Sequence, residues 1–178
     1  MPNLNLTPFP ELETERLLLR PLLITDVEAM FRLRSNPRVN RYVNRPATPT
    51  MDDAIKTIER LNKNVAENKG PFWAVELKTQ PGLIGTICLW NFTHNNTVCE
   101  LGYEMHPDFF GRGLMAEGTA RVIDYGFNVL MLEMIEAVVH KENERSIKLL
   151  QKHGFILNQN WADKNEPNVI LYSLRAPV

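Results

Sequence analysis

Residues 105–118 read MHPDFFGRGLMAEG. A strand ends at Tyr103, Glu104 and Met105, and a turn follows with Pro107, two phenylalanines, and Gly111 and Gly113 on either side of Arg112. From Leu114 the pattern turns helical. A glycine loop that empties into a helix start is a ready anion site. The first-turn amides have no intrahelical acceptor, and the helix dipole adds partial positive charge there. Gly111 and Gly113 let backbone approach a ligand and permit positive φ. The expectation is a loop that cradles a pyrophosphate; a tight turn that needs glycine only for its geometry fits the spacing equally well.

Other glycine loops fit less well. No Gly-Lys-Ser/Thr follows, as a nucleoside-triphosphate loop requires. Position 116 is Ala where the dinucleotide fingerprint needs its third glycine, and an antiparallel meander precedes the loop.

Upstream of the loop the period is two. Residues 72–77, 83–90 and 97–105 read as three strands of that meander, with a turn at 79–82 and a polar loop at 91–96. Downstream, Met115, Thr119, Val122, Ile123, Phe127 and Leu130 mark the inner face of a helix, and Glu117, Arg121, Asp124 and Asn128 its outer face. Glu117 in the first turn is accounted for by the dipole and a pair with Arg121. Residues 134–140 (MIEAVVH) form a buried strand parallel to 97–105 through a right-handed crossover. Asn143 caps a further helix that stops at Gly154, with Phe155 folding back on Leu150. Segments 155–159 and 169–175 close the sheet.

Toward the amino end, residues 1–13 read as an irregular lead-in and 16–21 as a short strand. Thr25 to Glu28 makes a capping box for a helix over about 26–35, and Thr50 to Asp53 starts a second over about 51–68. Residues 36–49, with three prolines, form a long connection. The fold class is α+β: a mixed, mostly antiparallel sheet with helices on both faces and the whole of 1–178 as one domain. Ligands on such sheets gather beyond the carboxyl ends of strands, where the glycine loop sits.

Composition narrows the function. Net charge is −1 and apolar content 44%, ordinary for a globular protein and unlike a dedicated nucleic-acid binder. Two cysteines, Cys88 and Cys99, read as reduced thiols, and the start MPNLNLTPFP has neither a charged nor an apolar leader. These features point to the cytoplasm. The four histidines lack paired metal-ligand spacing, so no metal site is expected.

Three blocks share a resemblance to the GCN5-related N-acetyltransferase (GNAT) superfamily, most closely its ribosomal-protein alanine N-acetyltransferase branch. They are Glu13-Thr-Glu-Arg-Leu17 with Leu19-Arg-Pro21; Glu100-Leu-Gly-Tyr103 running through Pro107 to Glu117; and Asn143-Glu-Arg-Ser146 running to Phe155. The family's loop, Gln/Arg-x-x-Gly-x-Gly/Ala, falls on residues 110–115, with Phe110 and Met115 departing from it.

The resemblance implies an acetyl-CoA-dependent N-acetyltransferase. Amides of Arg112, Gly113, Leu114, Met115 and Ala116 would hold the pyrophosphate, beside Phe110 and Gly111. The backbone of Met105, His106 and Pro107 would pair with pantetheine in a cleft splayed between 97–105 and 134–140. Asn143 would bind cofactor polar groups, and Ser146 would support the leaving thiolate. Glu100 and Glu104 share a strand face by parity and are the candidates for the general base; each is equally a solvent-facing strand residue. The 36–49 connection and the first two helices would cover the acceptor, either a protein N-terminus, such as a ribosomal one, or a small amine. Neither membrane nor direct nucleic-acid contact is expected, and the resemblance implies a homodimer. The rival is an acyl-CoA-binding regulatory module without turnover.

Overall fold

The computed structural model describes residues 4–45 and 48–177. Eight strands form one sheet in the order β1(Leu12–Glu13), β2(Leu17–Pro21), β3(Phe72–Leu77), β4(Gln80–Thr93), β5(Val98–Met105), β6(Met134–His140), β8(Val169–Arg175), β7(Ile156–Leu157). Every neighbouring pair is antiparallel except β5 and β6. Helices α1(Val27–Ser35), α2(Pro37–Asn40) and α3(Met51–Ala66) precede the meander. Helix α4(Leu114–Asn128) joins β5 to β6, and α5(Glu144–Lys152) follows β6.

The sheet is covered on both faces, as the two-sided apolar pattern of the meander requires. One core packs Leu17, Trp73, Ile87, Leu89 and Ile135 with Val122 of α4 and Leu150 of α5. A smaller one packs Ala74 and Leu83 with Met30 and Leu33 of α1 and Ile58 of α3. The α+β class, the helices on both faces and the parallel crossover are as the sequence predicts.

The expected splay is present and sharply bounded. β5 and β6 pair only at Val98↔Met134, Cys99↔Ile135 and Glu100↔Glu136. Beyond Glu100, β5 keeps β4 while β6 continues with β8. The carboxyl ends of the two parallel strands therefore diverge into a cleft.

Several local expectations are corrected. Thr25 does not cap α1: a 3-10 turn at Ile24–Asp26 comes first, and the Asp26 carboxylate accepts from Leu23 N at 2.8 Å and from Arg20. In the 36–49 connection, Asn36 caps α2 by accepting from Arg38 N, with Pro37 in the first turn where its missing N–H costs nothing. Pro46 and Ala47 of that connection lie outside the described residues. Of the 79–82 turn only Thr79 turns, with Lys78, and Gln80 to Gly82 instead start β4, where Pro81 is tolerated because β5 reaches only as far as Gly85. Leu12–Glu13 adds a strand to the lead-in, and the strand expected over 155–159 is only Ile156–Leu157.

The inner face of α4 is rotated from the expected one: Leu114, Gly118, Thr119, Val122, Tyr125 and Gly126 are buried. The two glycines bring the helix onto the sheet. A Cβ on Gly118 would lie 2.8 Å from Ile87 Cδ1, and one on Gly126 3.0 Å from Ile135 Cδ1. Large residues at those positions would hold α4, and the loop before it, off the sheet.

Candidate functional site

The diverging ends of β5 and β6 open a cleft of about 610 Å³. Four segments line it: Tyr103, Glu104 and Met105 at the end of β5; the glycine loop and first turn of α4; the start of α5 with Asn143 and Ser146; and residues 38–43 around the end of α2. Residues 38–43, 103–116 and 142–149 therefore meet at one place because two strands part there.

The loop has the geometry of an anion cradle. Gly111 and Gly113 hold φ of +76° and +73°, which other residues adopt with strain. The first backbone bond into α4 is Glu117 N to Gly113 O at 3.1 Å. The amides of Leu114, Met115 and Ala116 meet no acceptor among the described residues and sit at the positive end of a fifteen-residue helix. The two residues that depart from the family pattern leave these donors intact. Met115 packs against the core, and the Phe110 ring packs there with Arg145 at 3.8 Å and Arg38 at 5.6 Å from its centroid.

Glu117 does not pair with Arg121, which bonds Asp124 instead. It turns back to the hairpin between β1 and β2. Its carboxylate accepts from Thr14 Oγ1 at 2.5 Å, Arg16 N at 2.9 Å and Arg16 Nε at 2.6 Å. Arg16 also donates to Arg112 O at 3.0 Å. Burial pushes the Glu117 pKa up, but these partners outweigh it and hold the carboxyl below its ordinary range. The Glu-Thr-Glu-Arg-Leu block is thus a buttress for the loop.

On the α5 wall, Asn143 Oδ1 caps the helix by accepting from Ser146 N at 3.2 Å. Ser146 Oγ lies 2.6 Å from Tyr103 Oη. Burial pushes the Tyr103 phenol up to about 12, against the pull of Ser146, so it keeps its proton at neutral pH. Tyr103 was not among the expected site residues. Parity carried the signal, since it faces α5 with Met105 while Glu104 faces α1.

The backbone of β5 offers its free edge to the cleft. His106 N donates to Ile84 O at 2.8 Å. By antiparallel alternation the polar groups of Tyr103 and Met105 then point away from β4, toward the space β6 has left. His106 is corrected on this point, because its amide is taken by β4. Its ring accepts weakly from Asp108 N at 3.4 Å. Pro107 is buried, and Arg112 reaches over the Phe109 ring at 5.2 Å. His106, Pro107, Arg112 and Glu100 do not line the cleft.

Glu100 and Glu104 share a face, as expected, but their surroundings are opposite. Glu104 is buried between Arg34 Nε at 2.8 Å and Arg45 Nη1, with Thr86 Oγ1 at 3.2 Å. Burial raises its pKa, yet the two guanidinium groups together bring it below the ordinary carboxylate range. Glu100 sits where the strands part, half-buried, bonded to Asn91 Nδ2 at 2.5 Å and in register with Glu136. Burial, with the charge of Glu136, raises its pKa against the Asn91 bond.

The arginines were missed. Arg34, Arg38, Arg41 and Arg45 recur at helical intervals of four, three and four, a pattern present in the sequence but interrupted by Pro37.

The chain matches the Acetyltransferase (GNAT) domain family over residues 16–156. It is 35% identical over 174 residues to the uncharacterised N-acetyltransferase YoaA of Bacillus subtilis (strain 168), covering 95% of this chain and 98% of that protein. The spermidine N(1)-acetyltransferase of Escherichia coli (strain K12) is 28% identical, over 77% of this chain and 71% of that one. In three dimensions the chain superposes on ribosomal-protein-S5-alanine acetyltransferase from Vibrio fischeri with a TM-score of 0.77 at 21% identity, covering 93% of this chain and 96% of that one, a likeness of fold. With its family match running from Arg16 of the buttress through the cleft and the glycine loop, the chain belongs to the GNAT acetyltransferase family.

Proposed function

We propose that this protein, acting as one domain, moves acetyl from acetyl-CoA to a primary amine by direct attack through a tetrahedral intermediate. The observation that carries the reading is the cleft itself. One free strand edge, one set of unpaired helix-start amides and one hydroxyl pair converge on it.

In this reading the amides of Leu114, Met115 and Ala116 hold the pyrophosphate. The edge groups of Tyr103 and Met105 pair with the pantetheine amides as an added strand. Holding the amine beside the thioester removes most of the entropic cost of their meeting. An edge amide near Met105 stabilises the oxyanion. Ser146 Oγ–H passes its proton to the departing thiolate as the Tyr103 hydroxyl, 2.6 Å behind it, passes its own to Ser146, and solvent then reprotonates Tyr103. Asn143 holds the start of α5 in place.

The ammonium must lose a proton before attack. Glu100 lies outside the cleft lining, so we assign it that step only as the end of a water chain from the amine, its raised pKa bringing it closer to neutrality than Glu104. Glu104, tied to two guanidinium groups, holds the acceptor wall instead. The acceptor is a protein N-terminus or a small amine. The ribosomal-protein branch rests on the resemblance of the three sequence blocks. Two free cysteines support a reducing compartment such as the cytoplasm, and size-exclusion chromatography tests the expected homodimer.

Thiol release from acetyl-CoA on adding an amine tests the proposal. Glu100→Gln should remove the acid limb of the pH profile of kcat/KM. Tight CoA binding without thiol release across amines and peptides would leave only a binding module.

A further inference from the structure

We propose that the amine accepted by this cleft belongs to a molecule that also carries an anionic group, a carboxylate or a phosphate. The inference rests on the acetyl-transfer reading and specifies its acceptor.

The acceptor wall runs from the end of α1 to residue 45. It carries Arg34, Arg38, Arg41 and Arg45 and no acidic residue. The carboxylate that faces it, Glu104, is fully occupied by Arg34 and Arg45. One negative charge against four positive ones, with the Glu166 carboxylate also bonded to Asn44 of this wall, leaves it cationic.

Its cations are also under-partnered. Arg38 and Arg41 line the cleft, and neither meets a carboxylate among the described residues. Their guanidinium groups rest over the rings of Phe110 and Tyr42. Arg45 Nε is shielded from solvent and has no hydrogen-bond acceptor among the described residues. A buried donor without an acceptor is costly, which adds to the unmet demand of this arginine segment for an anion.

The facing wall offsets part of this charge without pairing with the two arginines: Glu142 and Glu144 line the cleft at the start of α5 along with Arg145, Glu144 bonds Lys148, and neither glutamate meets Arg38 or Arg41 among the described residues. The cofactor's pyrophosphate has its own donors in the amides of Leu114, Met115 and Ala116 at the glycine loop. A multiply charged polyamine would enter against the arginines, whereas an amine next to a carboxylate or phosphate would be drawn in and oriented.

The test measures thiol release at saturating acetyl-CoA with matched acceptors: alanine against alaninamide, aminoethyl phosphate against ethanolamine, and spermidine. The anionic member of at least one pair should exceed its neutral partner in kcat/KM by about tenfold or more, with spermidine lowest. The pair with the larger ratio identifies the anion. Arg41→Glu, at an exposed position, should raise KM for the anionic acceptor by about tenfold while the Kd for acetyl-CoA stays within about threefold. Equal rates within both pairs, or spermidine as the best acceptor, would overturn the anionic acceptor and leave acetyl transfer standing. A loss of acetyl-CoA affinity in Arg41→Glu with acceptor KM unchanged would overturn it too, by giving the arginine to the cofactor. Absence of thiol release with every amine would remove both readings.

Discussion

Replacing Glu104 with glutamine preserves the side-chain shape and removes one charge from a buried ionic cluster. The Glu104 side chain is 6% exposed, Arg34 9% and Arg45 19%. Glutamine can still accept one hydrogen bond but leaves two guanidinium groups facing each other without an anion. Breaking a buried pair by removing one partner costs about 3–5 kcal/mol, and the retained bond places this case near the lower end. At this chain length each kcal/mol moves the melting temperature by about 2–4 °C, so the loss should be roughly 6–12 °C at neutral pH. Circular dichroism melts of both proteins measure it. The pH dependence gives a second reading. A carboxyl held below its ordinary range contributes stability that is complete above the unfolded value of about 4.3 and is lost as pH falls through the lower folded value. The gap between the two proteins should therefore close in acid, as wild type protonates Glu104. A shift under about 2 °C at neutral pH, or a gap that persists unchanged in acid, would refute the assignment of Glu104 as the anion that holds the wall.

Gly113→Trp places a bulky side chain at a φ of +73° in the loop and should abolish measurable CoA binding by calorimetry while the far-ultraviolet spectrum is retained. Glu117→Ala removes the carboxylate that ties Thr14 and Arg16 to α4; it should cost about 2 kcal/mol in urea unfolding and weaken CoA several-fold through a looser loop. Ser146→Ala and Tyr103→Phe should each lower kcat by about tenfold or more with CoA affinity within about threefold, because both act on the departing thiolate and not on the phosphates. An unchanged rate in Ser146→Ala would reduce it to a helix residue.

What the sequence made legible was local. The glycine loop could be read because its function is carried by backbone amides and by two glycines two residues apart, whose φ values are those the turn needs. Asn143 could be read because a helix cap is set within three residues. The partners of Glu117 could not: Arg121 stood four residues away on the same helix, whereas Arg16 and Thr14 lie about a hundred residues upstream. The rotation of α4 was hidden for a related reason. Periodicity ranks residues by hydrophobicity, and Gly118 and Gly126 are buried for being small.

The two carboxylates of β5 make the limit plainest. Parity correctly placed Glu100 and Glu104 on one face, and nothing local distinguishes them. One meets two arginines from residues 34 and 45 and has its pKa lowered; the other lies in register with Glu136 and has its pKa raised. Opposite proton affinities four residues apart on one strand face arise wholly from segments that the fold brings in from far along the chain. The site divides along the same line. The half that binds the cofactor is written in contiguous motifs. The half that in the proposed function chooses the acceptor and takes its proton lies in charges whose meaning depends on what the splayed sheet sets beside them, and so it must be tested by charge: reversal at Arg41, neutralisation at Glu100 and Glu104.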